Sequence, residues 1–269
     1  MFLVNIIRKI KNRLKTIYWG KLKTKSKYID LLAGKSGIEI GGPSTVFNSK
    51  GILPVYDHLK TLDNCNFSNA TVWEGTLQEG QNFRYGKNKT GFQFIREASN
   101  LVNIENEKYD FLLSSHCLEH CANAIQTLKE WKRVVKQGGY LLILVPNKRH
   151  TFDHKRPFTS LQHFIEDEKN QIKETDLTHL EEILELHDLS LDKNAGTFEQ
   201  FSERSKNNFE NRCLHHHTFT NENLAEIITY CEMEIVIQDF HPPYHSIILT
   251  KKYSPSVKSN SLGLRSSYD

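Results

Sequence analysis

The sequence predicts an α/β fold: a doubly wound, mostly parallel sheet of seven strands with a histidine- and acid-rich insertion after the fifth. Three observations predict it. Short apolar runs alternate with stretches of helical periodicity through residues 36–147, the pattern left by right-handed crossovers between parallel strands. The runs end in turn-forming or polar residues: Gly41-Gly42 after the first, Ser114-Ser115-His116 after the fourth, Pro146 after the fifth. From residue 151 to 217 this rhythm stops, and the chain becomes polar, acidic and rich in histidine.

The elements follow in order. Residues 1–27 hold nine Lys or Arg and no acid, and Leu3, Ile6, Ile7, Ile10, Leu14, Ile17 and Tyr18 recur at helical spacing. This predicts a basic amphipathic helix over residues 1–30. It either packs on the domain or makes peripheral contact with an anionic membrane surface through residues 1–27. The main domain spans residues 31–252. Its first strand is Ser36–Ile40, and a second near Leu59–Leu62 ends at Asp63. A third covers Phe92–Ile95, and the fourth is Tyr109–Leu113. Ala124, Leu128, Trp131 and Val135 mark a helix over Asn123–Val135, stopped by Gly138-Gly139. Tyr140–Val145 is the fifth strand. Beyond the insertion, Phe219–Tyr230 reads as a helix with Thr220 as its cap, and Glu234–Phe240 and Ser246–Lys251 close the sheet. The serine-rich tail, residues 253–269, reads as disordered.

Composition narrows the function classes. No run approaches the roughly 18 apolar residues of a membrane span. Five cysteines, an odd number with no Cys-x-x-Cys pair, argue against a disulfide framework or a cysteine zinc site and for a reducing cytoplasm. Cys117 and Cys121 read as small buried hydrophobes.

An open parallel sheet binds ligands at the carboxyl ends of its strands, where the strand order reverses. A nucleoside cofactor needs a glycine turn for close approach of the backbone. It also needs a carboxylate for the ribose diol and a further polar group for the adenine. Gly41-Gly42, Asp63 and Glu97 stand at the predicted ends. Asp57 is the alternative to Asp63 for the ribose.

The residues at these ends carry a family resemblance. Ile38-Glu39-Ile40-Gly41-Gly42-Pro43-Ser44 resembles the first motif of class I S-adenosylmethionine-dependent methyltransferases, of the type 11 kind. Tyr109-Asp110-Phe111-Leu112-Leu113-Ser114-Ser115-His116-Cys117-Leu118-Glu119-His120 is similar to their fourth-strand motif. Arg133-Val134-Val135-Lys136-Gln137-Gly138-Gly139-Tyr140, followed by Leu144-Val145-Pro146-Asn147, resembles the motif that ends the core. The resemblance implies a Rossmann-like sheet and S-adenosyl-L-methionine as cofactor. It implies cofactor contacts at Glu39, Gly41, Gly42, Asp63, Glu97, Ser115 and His116. Where those enzymes have Gly-x-Gly-x-Gly, this chain has Gly41-Gly42-Pro43-Ser44, so its turn must meet the methionine end differently.

The insertion, residues 151–217, falls where the acceptor meets the methyl group and is expected to act as a lid. Asp153, Arg156 and His163 are its candidate acceptor contacts. His154 and His216 are the candidate general bases, since a histidine near its reference pKa suits proton removal at neutral pH. Adjacent His215, His216 and His217 cannot all reach one metal ion, so the histidines are assigned to a polar lid rather than to a metal. Residues 162–210 hold thirteen Asp or Glu against five Lys or Arg. Such a surface repels phosphate backbones, which disfavours nucleic acid and favours a small or glycan acceptor. The pattern over 36–250 is also similar to methyltransferases found among bacterial surface-polysaccharide enzymes, which implies O-methylation of a sugar hydroxyl. A metal-dependent hydrolase and a non-catalytic cofactor-binding protein are the competing readings.

Overall fold

A computed structural model of the chain describes residues 22–192 and 194–253. Most of the basic helix read from the sequence, and all but the first residue of the serine-rich tail, lie outside the described residues. In chain order the elements are α1 (Lys25–Leu32), β1 (Ser36–Ile40), β2 (Thr61–Asn66), β3 (Ala70–Thr71), β4 (Gly75–Thr76), β5 (Gly80–Gly86), β6 (Lys89–Ile95) and β7 (Tyr109–Ser115). Then come α2 (Ala124–Val134), β8 (Val135–Pro146), α3 (Leu161–Lys169), α4 (Leu180–Leu186), α5 (Phe198–Lys206), α6 (Asn208–Asn211), α7 (Asn221–Tyr230), β9 (Met233–His241) and β10 (His245–Lys252).

One sheet runs in the order β5-β6-β2-β1-β7-β8-β10-β9. Strands β6, β2, β1, β7 and β8 are parallel; β5, β10 and β9 join antiparallel. The chain leaves β1 toward β2 and β6, then crosses back to β7 and β8. The order therefore reverses between β1 and β7, and a crevice opens at their carboxyl ends.

Both faces of the sheet are covered, because its central strands are apolar on both sides. Alternation along β8 shows it: Leu141, Ile143 and Val145 enter one core with Trp131 of α2 and Ile227 of α7. Leu142 and Leu144 enter the other, with Tyr28 and Leu32 of α1 and Phe47, Leu53 and Tyr56. Asn123 caps α2, its side chain accepting from the Gln126 amide. Thr220 and Asn223 form a reciprocal capping box on α7, as the cap reading expected.

The structure departs from the sequence reading in two places. There are eight strands in the main sheet rather than seven. The extra one, β5, pairs with β6 as an edge hairpin and is mostly exposed and polar, so it lacks the apolar alternation that announces a strand. The second strand lies later than expected, at Thr61–Asn66, because buried Asn64 and Asn66 interrupt the apolar run that would have marked it. Between β1 and β2 the described chain holds only a single 3₁₀ turn, Tyr56–His58.

Gly37 makes room for Phe111 on the neighbouring strand: a Cβ there would lie 2.1 Å from the buried Phe111 ring. Gly37→Ala is therefore expected to destabilise the protein by about 1–3 kcal/mol through overpacking. Phe111→Leu in the same chain should recover part of that loss. Denaturant unfolding of the two single variants and the double variant measures the coupling, and strictly additive losses would mean that the two positions do not meet.

Candidate active site

At the carboxyl ends of the parallel strands lies a cavity of about 680 Å³, within the usual size of small-molecule sites. Ile40 and Gly41 at the end of β1, Asn66 and Phe67 at the end of β2, Arg96 and Glu97 after β6, Ser115 to Cys117 at the end of β7 and Pro146 at the end of β8 all border it. The insertion closes the far side through Phe152, Glu174, Arg212 and His215.

The turn after β1 is held from beneath. Gly41 has φ of +80°, a conformation that favours glycine. Gly42 cannot carry a side chain, since a Cβ would lie 2.3 Å from the Glu39 carboxylate. That carboxylate, fully buried, accepts from the Ser44 amide at 3.1 Å and from the Tyr56 hydroxyl at 2.6 Å. The side-chain amide of Asn64 grips both polar groups of Gly42, accepting from its N–H and donating to its carbonyl, each at 3.0 Å. Burial pushes the Glu39 carboxyl up from 4.5 to about 7 against the lowering effect of its hydrogen bonds.

The sequence-predicted cofactor residues divide accordingly. Gly41, Glu97, Ser115 and His116 border the cavity. Glu39 and Gly42 lie behind the turn and shape it. Asp63 does not border the cavity: it lies within β2, three residues before its end, and accepts from the Phe92 amide at 2.9 Å and the Tyr109 hydroxyl at 2.8 Å. Asp57, the alternative, is exposed on the 3₁₀ turn. The position at the end of β2 belongs to Asn66, whose Oδ1 accepts from Asn64 and Gln93.

The expected base and acceptor residues are also redistributed. His154 is exposed and paired with Asp188 at 2.9 Å. His216 is buried against Asn208 at 3.0 Å. Neither borders the cavity. The three adjacent histidines diverge to separate partners, and it is His215 that faces the cavity, its Nδ1 bonded to Asp153 at 2.6 Å. Asp153 and Arg156 stand one layer behind. Arg156, 2% exposed, pairs with Asp153 at 3.0 Å and donates to the His215 carbonyl at 2.8 Å. Burial alone would raise the Asp153 carboxyl; the charges of His215 and Arg156 outweigh it and hold it below the usual range. His163 lies elsewhere, bonded to His179 at 3.0 Å.

Beside His215 stand His120 and Glu119. The His120 Nδ1 lies 3.0 Å from the Leu214 carbonyl; a carbonyl only accepts, so Nδ1 carries the proton. The Trp73 ring centroid lies 5.4 Å from that of His120, and the Phe152 centroid 4.9 Å from that of His215. Burial and the neighbouring His215 charge push the His120 imidazole down to about 4. Burial works against His215 too, but Asp153 outweighs it and raises the group. Sequence reasoning did not assign His215 or Asn66 to the site, though both border the cavity. His215 belonged to a segment it had singled out, but which histidine faced inward depended on the fold.

Residues 59–143, running from just before β2 into β8, match the family model of a methyltransferase domain. The chain carries a methyltransferase domain. The cofactor of this methyltransferase is S-adenosylmethionine, and the cavity suits it: a glycine turn of positive φ, polar strand ends and ample volume meet at the switch point. Among solved structures the enzyme is similar to an S-adenosylmethionine-dependent methyltransferase from Thermotoga maritima, at 15% identity and a TM-score of 0.44 over 92% of this chain and 97% of that one. One from Methanosarcina mazei is 17% identical, with a TM-score of 0.45 over 87% of this chain and 99% of that one. The 1,6-didemethyltoxoflavin-N1-methyltransferase of Burkholderia thailandensis is 9% identical, with a TM-score of 0.45 over 94% and 88%. No curated protein sequence matches the chain. Among the described residues no helix is long and apolar enough to cross a membrane.

Two outcomes follow from the turn. Asn64→Leu leaves both polar groups of Gly42 without their buried partner, at about 1–3 kcal/mol. It should weaken binding of S-adenosylhomocysteine about tenfold or more in calorimetry; unchanged affinity in a folded variant would remove Asn64 from the account. The second outcome concerns pH. The folded protein keeps the Glu39 proton to about pH 7, while the unfolded chain releases it near 4.5. Across that window the native state binds more protons, so this group's contribution to stability falls as pH rises. Glu39→Gln cannot lose a proton, so its unfolding free energy should gain on that of the parent as pH rises from 4.5 to 7. A constant difference across the window would contradict it.

Proposed function

We propose that this methyltransferase moves the methyl group of S-adenosylmethionine to a hydroxyl of a small polyhydroxylated acceptor, a sugar or a glycan end. The observation that carries the reading is that His120, His215 and the buried Glu119 meet on the wall of the cavity that the strand ends enclose. The cofactor supplies an electrophilic methyl group on a sulfonium. The chain must then hold the acceptor oxygen in line and relieve it of its proton, which an amine already free of its proton does not need.

In this reading Gly41 lets the backbone approach the methionine end, and Ser115 and His116 border it. Asn66 takes the ribose in place of an acid, and Glu97, anchored by Arg212 at 3.0 Å, lies toward the adenine. Asp153 and Arg156 position His215 and touch no substrate. The insertion serves as the acceptor lid, and Trp73 and Phe152 offer aromatic faces to the apolar side of a sugar ring. Trp73 is 53% exposed, so the acceptor enters beside it.

The test is methyl transfer to a panel of amines, phenols, monosaccharides and oligosaccharides, followed by release of S-adenosylhomocysteine. Turnover is expected with sugar hydroxyls. Turnover confined to amines would overturn the assignment. With a good acceptor, Trp73→Ala should raise KM roughly tenfold, the effect of losing about 1.4 kcal/mol of apolar contact. S-adenosylhomocysteine affinity should stay as it was. A fall in kcat at constant KM would place Trp73 in another role.

A further inference from the structure

We infer that Glu119, His120 and His215 form a binding site for one divalent transition-metal ion of the zinc class, on the acceptor side of the cavity. The inference rests on the methyl-transfer reading for its purpose, but not for its geometry. The three side chains offer one ligand atom each within 4.8 Å of one another. Two nitrogens and a carboxylate oxygen, with positions left open, make the donor set of a catalytic zinc ion.

Three features favour an ion over a plain polar wall. Glu119 is 1% exposed, yet neither of its carboxylate oxygens has a hydrogen-bond partner. A buried carboxylate left so is costly unless something positive meets it. Its nearest positive partners are imidazoles at ion-pair distance, His116 Nδ1 at 3.5 Å and His120 Nε2 at 3.9 Å from Oε1. The second feature is that both histidines are held from behind. His120 donates from Nδ1 to the Leu214 carbonyl, and His215 from Nδ1 to Asp153. Metal-bound histidines are fixed in this way, a carbonyl or carboxylate taking the remote N–H so that Nε2 is the free lone pair. Third, the cluster borders the cavity, so open coordination positions face the acceptor. Ligands at about 2.0–2.2 Å from an ion require the three atoms to draw closer together on coordination.

A second histidine cluster, His163, His179 and His217, is also compact. In it His163 is bonded to His179 at 3.0 Å and His217 Nε2 to Asp167 at 2.9 Å, while His217 Nδ1 is buried without a hydrogen-bond partner. It does not border the cavity and serves as the internal control.

An ion at the first cluster polarises the acceptor hydroxyl and lowers its pKa. The acceptor proton leaves to solvent on the open side of the cavity. The oxygen lone pair then forms the new O–CH₃ bond as the S–CH₃ bond breaks, and the electron pair of that bond stays on sulfur, giving the neutral thioether. No oxidant or reductant is needed.

The test uses the full chain, stripped with a chelator and dialysed. Cobalt(II) is titrated and followed by its visible absorption, with zinc(II) measured by calorimetry. One equivalent is expected to bind with four- or five-coordinate absorption. Glu119→Gln and His215→Gln should each lose it by at least about 100-fold. Asp153→Asn, acting through His215, should weaken it by about 10–100-fold. S-adenosylhomocysteine affinity, measured on each variant, should stay within a few-fold of the parent. That readout reports folding and tests the methyltransferase reading separately. The inference is overturned if the stripped parent takes up neither ion. It is equally overturned if uptake survives Glu119→Gln and disappears in His163→Ala.

Discussion

The Arg156 guanidinium, 2% exposed, is the constraint on which the acceptor side of this molecule depends. A buried cation must be neutralised and hydrogen-bonded where it lies. Arg156 does this with Asp153, Glu182 and the carbonyls of His215 and His216. These contacts bind the start of the insertion to its end. They decide which of three consecutive histidines points inward, and they place Asp153 against His215. Removing the cation would leave Asp153 buried beside a histidine whose backbone had lost its anchor.

The cofactor side answers to a different demand. A turn that brings backbone close to a ligand has no side chains of its own to hold it, so the neighbours must. Here Asn64 and Glu39 do so from below, and the sequence Gly41-Gly42-Pro43-Ser44 replaces a glycine-rich loop. Gly42 is small because Glu39 occupies the space beneath it. The two sides meet through Arg212, which pairs with Glu97 near the end of β6 and with Glu174 in the insertion, each at 3.0 Å. The insertion is thus joined to the sheet by charge as well as by chain.

Much of this was legible in the sequence. The strands that are apolar on both faces, β1, β7 and β8, announced themselves, as did α2, and α7 with its cap Thr220. The segment between β2 and β6 did not. Its strands are short or polar, and a hairpin at a sheet edge needs little hydrophobic alternation. Asp63 was misplaced for a related reason: buried Asn64 and Asn66 satisfy each other inside the sheet, so the strand runs past the acid where the apolar run ends. The expected bases His154 and His216 lie in segments whose neighbours border the cavity but do not border it themselves. Spacing alone ruled out three adjacent ligands. It could not say that His215 would face the cavity, because that depends on contacts with residues some sixty positions earlier, Asp153 at 62 and Arg156 at 59. Glu119 lay within the fourth-strand motif, and only its burial without a hydrogen-bond partner separates it from an ordinary loop acid.

The central claim is that the crevice between β1 and β7 binds the methyl donor. The most direct measurement is calorimetric titration of S-adenosylhomocysteine into the parent and into Gly41→Val. Gly41 has φ of +80°, and its Cβ would already touch Cys117 at 3.4 Å, so a branched side chain both strains the turn and intrudes on the cavity. The account predicts micromolar binding at one site in the parent and none in a folded Gly41→Val chain. Equal affinity in the two would contradict it.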